Sequence, residues 1–422
     1  MTVSLVIPPS PFLGDQKRNP PLGIMYVAAF IEKNNYDVKL TDLRDFNKKE
    51  WLSHIPYGDV YGITATTPEY PYAIEIAKQI RQRDKKSVIV LGGVHASAEP
   101  QKINKVFDRV VIGEGEYSML NILKDIENNV QKKYYTSPFI KDLNSLPFPA
   151  RHLLKYDSIV SSKLTIKDQP ATAIMGSRGC PYNCAFCVSK LMWDRRVRFR
   201  TTDNVIEEIR EIIDKYGVRH FRFQDDTITA SKKWIRDLCS KLIPLNVVWR
   251  AATRVDHSDR DILQVMKEAG CYEIDYGIET ISDNVLELNN KQITVDEMHV
   301  AIKNAKDVGL KTRLFFMIGL PGQTLAVADD IISFIETVQP DGADISTFIP
   351  FPGSDIYNNP QKYGIEILTK NFTKYFITQG LYGNEAERSF IFKHDILSDD
   401  ELKGLRKKLL NYISKYNFIL NK

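Results

Sequence analysis

A chain of 422 residues is long enough for two or three domains with ample core. Its 43% hydrophobic and 26% charged residues are those of a globular protein, and a net charge of +4 is too small to argue for nucleic acid or an anionic membrane. No apolar run approaches the roughly 18 residues of a membrane span, Met1 to Ile7 lacks the basic start of a signal peptide, and five cysteines, three of them in one nine-residue loop, make no disulfide framework, so a reducing cytoplasm is expected.

In chain order, Val3-Ile7 is a short apolar strand ended by Pro8-Pro9, and Pro21-Leu22-Gly23-Ile24 opens a helix with Met25, Ala28, Ala29 and Ile31 at helical spacing. Strand-like runs follow at Asp37-Leu40, Val60-Thr64, Ser87-Leu91 and Arg109-Ile112, with helical stretches near Pro71-Arg83 and Glu116-Asn128. Strands alternating with helices predict a parallel sheet covered on both faces, a Rossmann-like doubly wound layer over residues 1–140. Ligands of such sheets bind outside the carboxyl ends of the strands. The loops there are Pro8–Gly23, with Pro9, Leu22 and Gly23; Thr64–Tyr70, with Thr64 and Thr66; Gly92-Gly93-Val94-His95; and Gly113-Glu114-Gly115-Glu116. Glycine at a strand exit lets backbone approach a ligand closely, although any one of them is equally a tight turn.

Asp142–Pro149 is broken by proline and reads as an interdomain linker, within residues 141–168. From Ala171 the strand–helix rhythm restarts with a strand Ala171-Gly176, a helix Asn204-Tyr216, and strands at His220-Phe223, Val247-Ala251, Glu273-Gly277, Thr312-Ile318 and Asp344-Ile349. Six βα units predict a partial, three-quarter barrel over residues 169–355, with its site at the carboxyl ends of the strands.

The first of these exits carries Gly179-Cys180-Pro181-Tyr182-Asn183-Cys184-Ala185-Phe186-Cys187. Thiolates are the usual ligands of iron–sulfur clusters, and a cubane held by three of them keeps one iron open to an outside ligand. A zinc knuckle is the competing account, but it usually wants a fourth ligand at short spacing, and the next candidates are His220 and Cys239. Cys239 and Cys271 lack ligand spacing and read as buried apolar residues. The second exit carries Gln224-Asp225-Asp226, where carboxylates suit a cationic ligand and Asp226 or Thr227 equally suits a helix N-cap. Arg250 and Arg254 at the third exit can clamp a carboxylate bidentately or form a surface ion pair. The fourth reads Gly277-Ile278-Glu279-Thr280, the fifth Gly319-Leu320-Pro321-Gly322 and the sixth Pro350-Phe351-Pro352-Gly353. Arg195, Arg196, Arg198 and Arg200 suit a phosphate or carboxylate, or equally a solvated face.

Cys180-x-x-x-Cys184-x-x-Cys187 with Phe186 resembles the signature of radical S-adenosylmethionine enzymes, and the exits that follow it in order over about 175 residues resemble that family's other marks. The resemblance implies a 4Fe–4S cluster on the three cysteines, whose open iron chelates the amino and carboxylate groups of S-adenosylmethionine. It implies a low-potential electron donor such as flavodoxin or ferredoxin, and reductive cleavage to methionine and a 5'-deoxyadenosyl radical. It places Phe186, Gln224, Asp225, Asp226, Arg250, Arg254, Glu279, Gly319 and Pro321 at S-adenosylmethionine, with adenine against Gly319.

Pro20-Pro21-Leu22-Gly23, Thr64-Ala65-Thr66 and Gly92-Gly93-Val94-His95 resemble the cobalamin-binding domain that precedes the barrel in one class of this family. One departure is clear. Residues 8–23 contain no histidine, and the Asp-x-His-x-x-Gly motif that supplies a lower cobalt ligand in many cobalamin domains is missing. The resemblance then implies base-off cobalamin and C-methylation of a small-molecule substrate as the expected reaction; His95 itself suits a polar hydrogen-bonding role or an approach to the corrin. A radical cyclisation or oxidative rearrangement, or a non-catalytic corrinoid-binding regulator, are the alternatives.

The tail, residues 356–422, holds a capping box at Ser398-Asp399-Asp400-Glu401 opening a helix to about Ile419. Upstream, Tyr363, Phe372, Tyr375, Phe376, Tyr382, Phe390 and Phe392 form an aromatic-rich stretch that reads by default as core packing, with a cover over the barrel mouth as the functional alternative.

Overall fold

The computed structural model describes residues 1–161, 169–376 and 389–420, so that Tyr382 lies outside the described residues. Two compact units divide the chain. One comprises the described residues of Met1–Ala173 with Leu191–Asp194 and Asn371–Lys374, and the other the described remainder.

The first unit is built on a six-stranded sheet. Its strands are β1 (Thr2–Ile7), β2 (Asp37–Asp42), β3 (Val60–Thr64), β4 (Val88–Gly92), β5 (Arg109–Ile112) and β6 (Tyr134–Thr136), in the order β2-β1-β3-β4-β5-β6. Every neighbouring pair is parallel. This is the flavodoxin-like order of doubly wound sheets, whose switch point lies between β1 and β3. β6 is the strand that the sequence pattern misses: three residues are too short to show a period. On one face, Val6, Tyr61, Ile63, Ile89, Leu91 and Val110 pack with Tyr70, Ala73, Ile76, Ala77 and Ile80 of helix Tyr70–Arg83. Those helical positions recur every three or four residues, so a single stripe is buried, and each large apolar side chain contributes about 1.5–3 kcal/mol. Helices Leu22–Lys33 and Gly115–Glu127 approach closely: a Cβ on Gly115 would lie 2.7 Å from Val27 Cγ2, and Phe30 meets Tyr117 edge-on at 4.8 Å. The segment read as a linker packs on this unit, with Leu143, Leu146 and Arg151 buried and Ala150 N–H donating to Met25 O at 3.1 Å.

The second sheet runs β14-β13-β12-β11-β10-β7, from β7 (Ala171–Ile174), β10 (His220–Phe223), β11 (Val248–Thr253), β12 (Cys271–Glu279), β13 (Lys311–Ile318) and β14 (Gly342–Thr347). The pairs from β10 to β14 are parallel, and the order gives the six-stranded open barrel expected from the six βα units. A two-residue antiparallel pair, β8 (Ser177–Arg178) with β9 (Arg198–Phe199), closes the base of the cysteine loop. Helix Thr202–Tyr216 follows; Thr201 caps it by accepting from Asn204 N–H, and Gly217 ends it at φ 68°. Alternate strand residues face opposite ways. Phe316 meets Phe334 of helix Val327–Val338, while Arg250, Glu273, Asp275, Arg313 and Asp344 sit at the other parity and pair with one another. The tail contributes the antiparallel pair β15 (Ile365–Ile367) and β16 (Phe392–His394) and helix Asp399–Leu420, whose start Ser398 and Glu401 cap reciprocally.

Candidate functional site

The cysteine loop leaves β8 after Gly179, whose φ of 107° only glycine adopts without strain. Cys180 and Cys187 are half-buried, Cys184 is buried, and none of the three is in a disulfide. Burial pushes the Cys184 thiol above its ordinary range and the Cys187 thiol up to about 12, so a metal held there would have to displace their protons. Three free thiols on one loop match a cubane held at three corners, one thiolate per iron. Among the described residues, no three His, Cys, Asp or Glu side chains close on a single ion. Cys239 and Cys271 are fully buried in the barrel wall, and burial pushes Cys239 up to about 12.

The second-exit carboxylates stand beside this loop. Asp225 is 3% exposed and accepts from Gly176 N–H at 3.0 Å and Ser177 hydroxyl at 2.5 Å. Burial, only partly offset by these bonds, pushes it up to about 6. Asp226 accepts from Ser189 Oγ at 2.9 Å, and Thr227 Oγ1 lies 4.0 Å from Cys180 Sγ. Neither Asp226 nor Thr227 caps a helix; Ser231 does that for Lys232–Leu242. The half-buried Gln224 donates its N–H to Ile174 O at 2.8 Å.

At the third and fifth exits the residues expected at the ligand meet partners within the protein. Arg250 is buried and donates to Glu273 Oε1 at 2.7 Å, with Asp275 Oδ2 at 3.3 Å, because its strand parity points it into the internal charge network. Arg254 donates to Asp256 through Nε and Nη2, and to Lys291 O and Gln292 O at 2.9 and 3.0 Å. Its guanidinium carbon lies 3.4 Å from the centre of the Tyr182 ring in the cysteine loop. Both guanidinium groups thus have acceptors within the protein. At the fifth exit a Cβ on Gly319 would lie 3.0 Å from Phe392 Cζ and 3.2 Å from Phe390 Cε1, so the tail's aromatic rings cover the glycine expected against adenine. Gln323 organises this turn by accepting from Gly319 and Leu320 N–H at 2.7 and 3.1 Å. Pro321 O accepts from Asn289 Nδ2 at 3.0 Å.

Glu279 stands on a β-bulge. The pairing with β13 shifts between Gly277 and Glu279, and Glu279 itself has a φ of 69°. Bulges re-aim a side chain, and non-glycine residues held at positive φ cluster at functional sites. The re-aimed carboxylate meets Lys291 Nζ at 3.1 Å beside Gly277, where a Cβ would lie 2.6 Å from Glu279 Oε1 and displace it. Lys291 and its neighbours escaped the sequence reading; two asparagines and a glutamine around a lysine carry no signal until they fold against the loop. Arg200, one of the four arginines after the loop, is buried against Glu208, Asn204 and Met175 O, and Arg195 Nε donates to Pro181 O at 3.2 Å. Arg198 is half-buried on β9 and Arg196 exposed.

In the first unit Pro9, Leu22, Gly23, Thr64, Thr66, Gly92, Gly93, His95, Gly113 and Glu114 all stand at or just beyond the carboxyl ends of the parallel strands. Around Gly23 and Gly113 (φ 80°) a Cβ would meet nothing within 4 Å, leaving open surface there. Gly93 is the reverse: at φ 94°, a Cβ would lie 2.7 Å from Ala65 O and 3.0 Å from Thr64 Oγ1. Glu69, unremarked in the sequence, joins the β1 and β3 exits by accepting from Ser10 Oγ and from Thr66 N–H (2.8 Å). Glu114 is buried and accepts from Ile140 N–H at 2.9 Å. His95 is 1% exposed, stacked on Tyr70 at 4.1 Å, edge-on to Phe372 at 4.8 Å, with Nδ1 3.3 Å from Thr67 Oγ1. Burial pushes it down to about 4, so it is a neutral imidazole. Open backbone at two exits beside a closed floor leaves room for a flat ring system such as a corrin.

Residues 174–335 match the family model of the Radical SAM superfamily, and residues 16–123 that of the B12 binding domain. An uncharacterised methyltransferase of Pyrococcus horikoshii is 31% identical over 405 residues, covering 89% of this chain and 86% of that protein. The anaerobic magnesium-protoporphyrin IX monomethyl ester cyclase of Rubrivivax gelatinosus is 28% identical over 93% of this chain and 75% of its own. The fold is shared with the radical S-adenosylmethionine methyltransferase TsrM of Kitasatospora setae, solved with cobalamin and a 4Fe–4S cluster (TM-score 0.67, 15% identity, 86% of this chain and 80% of that one). It is also shared with the cobalamin-dependent enzyme OxsB, solved with aqua-cobalamin and S-adenosylmethionine (TM-score 0.66, 17% identity, 98% and 56%). No helix among the described residues is long and apolar enough to cross a membrane.

Proposed function

Since the chain belongs to the radical S-adenosylmethionine enzymes that carry a B12-binding domain, we propose that it methylates an unactivated carbon of a small-molecule substrate. The family's cofactors are a 4Fe–4S cluster, S-adenosylmethionine and cobalamin. Bound together, they supply a 5'-deoxyadenosyl radical and a transferable methyl group; the protein positions them and keeps water out.

Cys180, Cys184 and Cys187 hold the cluster in this reading. Asp225 keeps the loop's entry in place through Gly176 and Ser177, and Asp226 and Glu279 offer carboxylate oxygens to the ammonium and hydroxyl groups of S-adenosylmethionine. Pro9, Leu22, Gly23, Thr64, Thr66, Gly92, Gly93, Gly113 and Glu114 border the corrin. His95, neutral and enclosed, serves as a hydrogen-bonding floor residue. The phenyl rings of Phe390 and Phe392 over Gly319 support a role for the tail in shielding the reaction. A low-potential donor, flavodoxin or ferredoxin, supplies the electron.

The observation that carries the methyl-transfer reading is the pairing of an intact three-cysteine loop with a B12-binding domain in one chain whose relative in Pyrococcus horikoshii is named a methyltransferase. The Rubrivivax gelatinosus cyclase, alignable over 93% of this chain, favours a second reading, radical cyclisation without methyl transfer. Anaerobically reconstituted protein given hydroxocobalamin, reductant, candidate substrates and S-adenosylmethionine with a deuterated methyl group separates them. Methylation transfers the label to product; cyclisation yields 5'-deoxyadenosine and unlabelled product. Protein that takes up about four irons per chain yet never forms 5'-deoxyadenosine would refute both.

A further inference from the structure

Lys291 is a buried cation next to the cysteine loop. It is 7% exposed, its Nζ lies 3.1 Å from Glu279 Oε1, and it sits 5.8 Å from the centre of the Phe186 ring, immediately before Cys187. Its backbone is fixed as firmly as its side chain. Asn289 O accepts from Ala185 N–H at 2.9 Å, one residue after Cys184, and Asn290 Nδ2 donates to Asn183 O at 2.8 Å, one residue before it. Arg254 donates to the carbonyls of Lys291 and Gln292 while its own guanidinium covers Tyr182. Asn290 and Gln292 are held at φ 51° and 55°, a left-handed geometry that costs side-chain-bearing residues energy and persists where the surroundings over-determine it. The strap 289–292 thus grips the loop on both sides of Cys184 and delivers one ammonium to it.

We propose that Lys291 is a positioning residue that sets the reduction potential of the cluster, its fixed ammonium favouring the reduced, more negative state. The inference rests on the cluster reading above. One electron arriving from a low-potential flavin or iron–sulfur donor adds a negative charge to the cubane, and charges and hydrogen bonds around a cluster tune its potential. In a poorly solvated interior such a charge acts more strongly than in water. Glu279 carries the opposing charge of the same pair, so its field acts with the opposite sign. That opposition distinguishes an electrostatic role from a merely structural one, because loosening the pair from either side would disturb the loop in the same direction.

The test is an EPR-monitored redox titration of the reconstituted full-length chain without S-adenosylmethionine, with iron content measured on every sample. Lys291→Met is expected to lower the ratio of reduced to oxidised cluster about tenfold at the parent's midpoint, equivalent to about 59 mV for a one-electron couple. Lys291→Arg, which keeps the charge, is expected to stay within about twofold of the parent, and Glu279→Gln to shift the ratio the opposite way from Lys291→Met. Equal midpoints in all four proteins, or shifts of the same sign for Lys291→Met and Glu279→Gln at full iron content, would overturn the inference while leaving the cluster reading intact. A parent chain that takes up no iron removes the cluster reading itself, and this inference with it.

Discussion

Replacing Glu208 with glutamine removes one charge from the pair that anchors the base of the cysteine loop. The side chains of Arg200 and Glu208 are 4% and 1% exposed. Two unit charges in contact at about 3 Å interact by roughly 5–6 kcal/mol at an effective dielectric constant near 20, and removing one partner of a buried pair typically costs about 3–5 kcal/mol. The guanidinium would keep Met175 O (2.9 Å), Asn204 Oδ1 (2.7 Å) and Asn204 O (3.0 Å) as acceptors, and glutamine still offers an oxygen. The expected loss is therefore at the lower end, about 3 kcal/mol. It acts on the loop because Arg200 N–H donates to Gly176 O at 2.9 Å and Trp234 Nε1–H donates to Arg200 O at 2.7 Å. Urea unfolding of the full chain, followed by tryptophan fluorescence and circular dichroism to separate the transitions of two units, provides the assay. With a slope of about 2–3 kcal/mol per molar urea, the midpoint of the second unit should fall by roughly 1 M in Glu208→Gln. A midpoint unchanged from the parent refutes the reasoning, since it would mean that the guanidinium is satisfied without its counter-charge.

The first unit supplies two further predictions. His95, held near 4 by burial against an ordinary value of 6.5, is depressed in the folded state. The stability it contributes is present above pH 6.5 and lost as pH falls through 4; the 2.5-unit difference (6.5 − 4) corresponds to about 3 kcal/mol. His95→Phe should flatten the pH dependence of first-unit stability over that window by a similar amount, and an unchanged slope would count against a buried neutral imidazole. Tyr70, Thr67 and Phe372, which it touches, carry no charge in that range. Gly93→Ala forces a Cβ to within 2.7 Å of Ala65 O at a φ of 94° and should cost about 2 kcal/mol or more and abolish retention of hydroxocobalamin on desalting. Gly113→Ala, with open space around its Cβ, should cost only about 1 kcal/mol, and equal losses in the two variants would argue that backbone conformation rather than close approach is at work.

Local chemistry made much of this protein readable in its sequence. The strand–helix alternation, the apolar stripe on Thr202–Tyr216 and the reciprocal cap at Ser398 and Glu401 depend on residues three or four apart, and each stands in the structure where the pattern places it. The cysteine loop is equally local. What the sequence hid depends on contacts between distant residues. Arg250 has the composition of a ligand clamp until β12 brings Glu273 and Asp275 beside it. Gly319 looks like open backbone until Phe390 and Phe392, some seventy residues later, settle over it. Lys291 has no meaning as a single lysine; it gains one from the bulge that turns Glu279 toward it. The order of the first sheet is likewise a property of the crossovers, since two doubly wound orders are compatible with the same alternation.

The hold of residues 289–292 on the cysteine loop also bears on how such proteins can be re-engineered. Ala185, between the second and third cysteines, is tied on its N–H side to Asn289 and on its carbonyl side to Ile356, segments about a hundred and a hundred and seventy residues downstream. The nine-residue signature is therefore not a portable cassette. A chimera that imported it alone would receive the ligands without their moorings, and grafts between homologues should keep the three segments together as one inherited block.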